Sequence, residues 1–271
     1  MSAPLLAVDG DSFAHRAYHA LPKSIRYNAV VGFTNMLIRL WEMEEPRTVL
    51  AGWDSIGIPT YRSELFPGYQ GGREFDKSIL EQLDMLPELV EALGFAAAKG
   101  AGYEADDFLA AAVRAEEGAG GTCVVATGDR DAYQLASEHT VILFPTRGVS
   151  EISRIGPAEV RERYGVEPRQ VPDFIALRGD PSDKLPGARG VGPKTAADLL
   201  RQFDTLEEAL EAGRFAAQAD ELRVYRRIAA MDADAPIPAL PDAQPDWDAG
   251  AEVARGWGLN QLAERLEKRA S

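Results

Sequence analysis

Apolar residues fall along this chain in two rhythms. Short continuous runs bounded by polar residues occupy 4–8, 48–53, 122–127 and 140–144, a length and composition that predict buried β-strands. The first two end on acids, Asp9 and Asp54. Helical spacing appears in Val30, Phe33, Met36, Leu37 and Leu40, predicting a helix over about 29–44. It recurs in Ile79, Leu83, Leu86, Leu89, Val90 and Leu93, over about 78–93, where Gly94 stops it. A further helix is expected over about 104–117. Strands alternating with helices give an α/β fold, with a mostly parallel central sheet flanked by helices. The intervening 55–77 is rich in Gly, Pro and aromatic residues, and Gly71-Gly72 breaks any helix there.

After about Pro157 the pattern changes to short helices separated by Gly and Pro, expected at 171–177, 194–203, 206–211 and 221–231. Residues 232–248 are rich in Pro and Asp and read as a strap before a last helix over about 260–269. The chain therefore divides at about 157 and 235, into an α/β core, a helical subdomain and a C-terminal strap with its helix.

Acidic residues sharpen this picture. Seven come in three bursts: Glu104, Asp106 and Asp107; Asp129 and Asp131; Asp180 and Asp183. With Asp9 and Asp54 they make nine, and three of the nine stand at strand ends, where open α/β sheets place ligands. Each burst has a structural explanation of its own. Acids suit a first helical turn, a Gly-Asp-x-Asp turn needs no function, and an Asx turn accounts for at least one of Asp180 and Asp183. Five such coincidences together are improbable. Hard oxygen donors without matching thiols or imidazoles suit Mg²⁺ or Mn²⁺ rather than zinc, which points to metal-dependent phosphoryl transfer. At i, i+2 and i+3, Glu104 and Asp107 lie close together while Asp106 can turn to a second ion.

The net charge of −14 argues at first against a nucleic-acid partner, but nine of those charges belong to the cluster, which leaves −5 elsewhere. Lys184, Arg189, Lys194 and Arg201 against Asp198 give a local +3. Residues 187–195 hold Gly187, Gly190 and Gly192 ahead of Pro193, Lys194 and Thr195, a turn and helix start suited to clamping phosphates without reading bases. Tyr69 and Arg73 suit an unpaired base and its phosphate. Arg16 and Lys23 could also reach phosphates. His15, His19 and His139 lack the spacing of a zinc site, and Cys123 lies in an apolar run as a core residue. No apolar run approaches 18 residues and no signal segment opens the chain, so a cytoplasmic protein is expected, with no membrane partner.

The segments around these residues resemble the 5′-nuclease (flap endonuclease) superfamily, and in particular the 5′→3′ exonuclease domain of bacterial DNA polymerase I. Val8-Asp9-Gly10, Asn28 through Leu37, Tyr61-Arg62 through Tyr69, Gly102 through Asp107, Thr127 through Asp131, Gly179 through Asp183 and Pro186 through Ala197 carry the resemblance over about 5–210. It implies a PIN-like nuclease core, a helical arch over about 61–86 and a helix–three-turn–helix over about 185–203. Asp9, Asp54, Glu104, Asp106 and Asp107 would serve a first ion, Asp131, Asp180 and Asp183 a second, and Asp129 would lie between. Two ions, or three, are implied, with K⁺ at the helix–three-turn–helix and Arg73 acting on the reacting phosphate. Arg16, Lys23, Tyr69, Gln70, Arg73, Lys77, Arg189, Gly190, Gly192, Lys194 and Thr195 would meet DNA. The implied activity is hydrolysis near 5′ ends of branched DNA or an RNA–DNA hybrid, in DNA replication (Okazaki-fragment processing) and repair. A bacterial, nucleoid-associated, stand-alone monomer is expected.

Two positions depart from the family. Gln70 stands where it has lysine, and Lys77, four after Arg73, would share its helical face and stand in for that lysine. Asp11 stands where a small neutral residue is preferred. Two rivals remain. In a haloacid-dehalogenase-like phosphatase Asp9 would be the nucleophile. A catalytically impaired branched-DNA-binding paralogue would explain Gln70.

Overall fold

A computed structural model describes residues 3–71, 75–147 and 151–270. Six strands form one sheet in the order β3-β2-β1-β4-β5-β6. They are β1 Leu5–Asp9, β2 Thr48–Trp53, β3 Ala96–Lys99, β4 Cys123–Ala126, β5 Thr140–Arg147 and β6 Glu151–Ile155. All pairings are parallel except β5 with β6. The helices of the first half are α1 Gly10–Ala20, α2 Asn28–Glu44, α3 Tyr61–Leu65, α4 Lys77–Ala92 and α5 Ala105–Gly118. Those that follow are α6 Pro157–Tyr164, α7 Val171–Arg178, α8 Pro193–Phe203, α9 Leu206–Glu211, α10 Ala219–Ala229, α11 Trp247–Gly256 and α12 Asn260–Ala270.

Alternation along β1 sorts the core into two layers. Leu5 and Ala7 join Phe108 of α5, Phe174 of α7 and Leu199 of α8. Leu6 and Val8 face the opposite layer with Phe33 of α2, Leu86 of α4 and Leu262 of α12. The C-terminal helices α11 and α12 are thus part of the core on the α2–α4 side. The helical subdomain likewise shares its apolar cluster with the sheet. Trp53, 1% exposed, packs so closely over Gly10 that a Cβ there would come within 2.5 Å of its ring. Only glycine lets the chain turn from β1 directly into α1.

The sheet order reverses between β1 and β4: the chain first adds strands on one side of β1, then crosses to the other. Such a switch point opens a crevice at the carboxyl ends of the strands. Among the described residues no helix is long and apolar enough to cross a membrane.

Several elements differ from the sequence-based expectation. α1, β3, β6, α6 and α11 were not anticipated. The strand β3 is Ala-Ala-Ala-Lys, with no β-branched residue to signal it, and pairing with β2 makes it a strand. α3 forms inside the Gly- and Pro-rich segment, started by a capping box of Thr60 and Ser63. α4 begins at Lys77 on its N-cap Asp76 and buries Ile79, Leu83 and Leu86. Residues 75 and 76 are not helical, and the helical face expected for Arg73 and Lys77 falls partly outside the described residues. Arg73 itself lies outside the described residues.

Candidate active site

At the switch point lies a cavity of about 440 Å³. Seven of the nine acids line it: Asp9, Asp54, Glu104, Asp106, Asp129, Asp131 and Asp183. They arrive from the ends of β1 and β2, the start of α5, the turn after β4, and the loop after α7. Asp9 is the N-cap of α1, accepting from Ser12 N at 2.9 Å and from Thr127 Oγ1 at 2.7 Å. With both oxygens engaged, Asp9 is poorly placed as the free nucleophile of the phosphatase reading. Burial, opposed by these donors and aided by Asp54 and Asp129, pushes its carboxyl up to about 7. Asp54 accepts from Ala105 N at 2.8 Å, which ties β2 to α5. Asp131 N donates to Asp129 Oδ1 at 2.9 Å as the chain enters a 3₁₀ turn, and this turn brings both acids to one cleft. Burial, together with Asp129, Asp183 and Asp180, pushes the Asp131 carboxyl well above the ordinary range.

Asp107 and Asp180 do not line the cavity. Glu104 is the N-cap of α5 in extended conformation and forms a capping box with Asp107, so the two lie close together as their spacing predicts. Glu104 faces the cavity beside Asp106, while Asp107 turns inward and is 0% exposed. Asp107 accepts from Arg62 Nη1 and Nη2, both at 2.8 Å, from Asp232 N at 2.7 Å and from Glu104 N at 3.1 Å. Its lone pairs are fully used. Asp180 is held in an Asx turn by Ser182 N at 2.7 Å and by Arg178 Nη2 at 3.3 Å.

Arg62 was not singled out from the sequence, although it sits in a matching segment. It is 1% exposed and reaches three acids, at 2.8 Å to Asp107, 3.2 Å to Asp106 and 3.6 Å to Glu104. Its Nε donates to Ile228 O at 2.9 Å, joining the end of α10 to the site. Burial alone would lower the guanidinium's pKa, and Asp106, Asp107 and Glu104 outweigh it and hold it well above normal. One positive charge cannot serve three acids, so burial still raises Asp106 well above the carboxylate range and raises Glu104. Asp106 Oδ1 is buried with no hydrogen-bond partner among the described residues. Asp11 is the other residue missed as a site member. It lines the cavity, accepts from Asp54 N at 2.7 Å, and is pushed well above its ordinary pKa by burial and then by Asp54.

The donor set is almost wholly carboxylate oxygen, as a hard divalent cation requires, and the orphaned Asp106 oxygen fits a cation in that wall. Among the described residues no three His, Cys, Asp or Glu side chains stand close enough together to hold one metal ion, so the acids line the cavity without forming a ready-made metal centre.

The expected nucleic-acid contacts fare unevenly. Tyr69 is 8% exposed, its ring in the core and its hydroxyl donating to Glu104 at 2.8 Å, so stacking on a base does not suit its placement. Gln70 Nε2 donates to Tyr69 Oη at 2.8 Å and to Asp183 Oδ1 at 3.1 Å, and Lys184 Nζ donates to Gly71 O, pinning this turn to the loop after α7. The Arg16 guanidinium lies beside Gly128, next to Asp129, within 3.2 Å of where a Cβ would stand. Lys23 is an exposed partner of Asp76 at 3.9 Å. Lys77 is exposed at the start of α4. In the loop before α8 and in its first turn, Arg189, Gly190, Gly192, Lys194 and Thr195 are all exposed, with Gly190 at φ 74 and Gly192 as the N-cap. Unpaired amides of the first turn of α8 therefore face solvent.

Comparison with known proteins agrees with this geometry. Residues 4–165 match the family of the 5′-3′ exonuclease N-terminal resolvase-like domain, and 166–247 that of the 5′-3′ exonuclease C-terminal SAM fold. DNA polymerase I of Bacillus caldotenax is 38% identical over 297 residues, covering 100% of this chain and 33% of that protein. DNA polymerase I of Mycobacterium tuberculosis (strain ATCC 25618 / H37Rv) is 42% identical over 215 residues, covering 76% of this chain and 24% of that protein. The chain thus spans about a quarter to a third of the length of these relatives. Among solved structures, T5 5′-exonuclease with bound zinc superposes with a TM-score of 0.70 at 18% identity, covering 99% of this chain and 100% of that one. Human GEN1 in complex with Holliday junction DNA does so at 0.62 and 15% identity, covering 98% and 71%. The sheet, the cavity at its switch point and the two matching family models lead to one conclusion: the chain belongs to the 5′-3′ exonuclease family.

Proposed function

We propose that this chain is a divalent-metal-dependent 5′ nuclease that hydrolyses phosphodiester bonds near the 5′ ends and flap junctions of DNA. The observation that carries the reading is the convergence of seven carboxylates on one cavity at the strand ends, with a buried Asp106 oxygen that has no donor among the described residues. Asp9, Asp54, Glu104 and Asp106 would hold one Mg²⁺ or Mn²⁺ ion, Asp131 and Asp183 another, and Asp129 would stand between them. Bound ions would supply an activated water and charge neutralisation at the leaving 3′ oxygen. Asp107 acts as a positioning residue: through Arg62 it fixes the wall formed by Glu104 and Asp106. The exposed turn before α8 grips the duplex backbone through amides, Arg189 and Lys194. Arg16, beside Gly128, meets a phosphate near Asp129.

Replacing both Asp129 and Asp131 by Asn tests the reading. Cleavage of a 5′-flap DNA should fall about a thousandfold or more, several kcal/mol of transition-state stabilisation. Flap binding, measured by anisotropy, should persist. Near-normal cleavage by the double variant would remove these acids from the metal site. Hydrolysis of a small phosphate ester with no cleavage of the flap would favour the phosphatase instead.

A further inference from the structure

Any α-helix ends on carbonyls that find no partner within the helix. At the end of α10 the acidic site supplies the partners. Ile228 O accepts from Arg62 Nε at 2.9 Å, Ala229 O from Gln134 Nε2 at 2.9 Å and Ala230 O from Tyr61 Oη at 3.0 Å. The next two amides donate in return, Met231 N to Gln134 Oε1 at 3.0 Å and Asp232 N to Asp107 Oδ1 at 2.7 Å. Five consecutive residues are thus held by four side chains, and these come from two parts of the site. Tyr61, Arg62 and Asp107 support the wall of Glu104 and Asp106. Gln134 belongs to the 3₁₀ turn Asp131–Leu135, and its Nε2 also donates to Asp131 O at 2.9 Å. Buried Met231 packs with Ala110 of α5 and Ala132 of that turn, adding an apolar contact between the same two parts. Ile228 and Ala229 line the cavity, whereas Gln134 does not.

We propose that residues 228–232 act as a crossbeam that sets the separation between the Glu104–Asp106 wall and Asp131, with Gln134 as the positioning residue at the Asp131 end. The inference rests on the nuclease reading, because it concerns the spacing of acids that would hold two ions. The end of β4 fixes only where the Asp129–Asp131 segment begins, and the wall is carried by α5. A tie between turn and helix is what keeps their acids at one distance. The Gln134 amide fits only one way round: reversed, its oxygen would face two carbonyls and its nitrogen an N–H. Its three bonds therefore specify one position of the turn against the end of α10. A displacement of about 1 Å across a reacting site can cost on the order of a hundredfold in rate, so such a tie has a kinetic consequence as well as a structural one.

The test compares wild type, Gln134→Met, Tyr61→Phe and their double variant. It reads kcat and KM on a 5′-flap DNA and, without DNA, the rise in Tm caused by Mn²⁺. Gln134→Met keeps the volume and removes all three bonds, and Tyr61→Phe removes the hydroxyl at the other end. Gln170→Met is the control, since Gln170 caps the end of α8 in the same manner, through Leu200 O at 3.2 Å and Asp204 O at 2.7 Å, and does not line the cavity. Gln134→Met should lower kcat about tenfold with KM changed less than about twofold. It should also move the Mn²⁺ concentration for half the Tm rise about fivefold higher. Tyr61→Phe should lower kcat about two- to fivefold, and Gln170→Met should lower Tm with none of these effects. Because both substitutions release one segment, the double variant's loss in kcat should fall short of the product of the single losses by about threefold. Should Gln134→Met fail to fold, Gln134→Asn, one methylene too short to span its partners, takes its place. A kcat and Mn²⁺ response equal to that of Gln170→Met would reduce Gln134 to a helix cap and overturn the proposal. Losses that simply multiply would overturn the shared crossbeam. Wild type that neither cleaves the flap nor gains stability from Mn²⁺ would remove the nuclease reading itself, and the proposal with it.

Discussion

The two walls of the acidic cavity solve the same electrostatic problem differently. On one wall Glu104, Asp106 and Asp107 share a single buried cation, Arg62. On the other, Asp9 and Asp11 are held by neutral donors: Ser12 N, Thr127 Oγ1 and the amide of Asp54. The first wall carries its own counter-charge, although one guanidinium among three acids leaves two negative charges in excess. The second has been given hydrogen bonds that fix geometry without neutralising charge. The contrast separates a wall that brings part of its own counter-charge from one held by neutral donors alone, a distinction that counting carboxylates misses.

Breaking the first wall should have the largest effect on stability. Arg62→Gln removes the fork that satisfies Asp107 and leaves that acid buried without its cation. It also removes the Nε bond to Ile228 O that ties α10 to the site. Loss of one partner from a buried ion pair costs about 3–5 kcal/mol, so urea unfolding should show a loss of that size. Since the built-in pair does not depend on added ions, the loss should persist in EDTA. A change below about 1 kcal/mol would mean that Arg62 does not organise this wall.

The second wall should reveal itself through pH. The folded-state pKa of Asp9 is raised to about 7, against about 3.9 in an unfolded chain. Below the unfolded value both states hold the proton and there is no penalty. Between about 4 and 7 the unfolded chain releases the proton while the folded one retains it, so folding stability falls as pH rises, then levels. Asp9 alone would account for at most about 4 kcal/mol. In chelator, Asp9→Asn should remove that share of the decline between about pH 4 and pH 7. Added Mg²⁺ should stabilise wild type more at pH 8 than at pH 5, because the ion competes with protons for the same oxygens. Equal pH profiles for wild type and Asp9→Asn would contradict the shift at this wall.

How much of this was legible in the sequence differs between the walls as well. Asp9 and Asp54 announced themselves because each ends a continuous apolar run, and a strand end is where a parallel sheet puts its ligands. Spacing predicted that Glu104 and Asp107 meet, as their capping box shows, but not that Asp107 turns inward and Asp106 lines the cavity beside Glu104. No local pattern shows that Arg62 lies under three acids from another element, because that contact spans 45 residues. Asp11 stood out only as a departure from the family. The sheet itself was largely readable, whereas β3 and α11 depend on partners far along the chain rather than on their own composition.

Gln70 joins the turn before α4 to the second half of the site, and substituting it gives the smallest and finest test. Its amide donates to Tyr69 Oη and to Asp183. The geometry is therefore fixed by a neutral group where the family resemblance expects a cation. Gln70→Lys would set an ammonium within reach of the same two acceptors, adding a positive charge at the edge of the acidic cavity. Gln70 and Asp183 are half-buried at the cavity edge, where an ion pair contributes about 1 kcal/mol, so stability should barely move. If a phosphate is drawn more strongly toward the cavity in the transition state than in the bound substrate, kcat on flap DNA should rise about two- to tenfold, equivalent to about 0.4–1.4 kcal/mol. A fall in KM with kcat unchanged would mean that the added charge acts on substrate binding alone. A fall in kcat would mean that the glutamine's hold on Asp183, rather than the missing charge, is what this turn contributes.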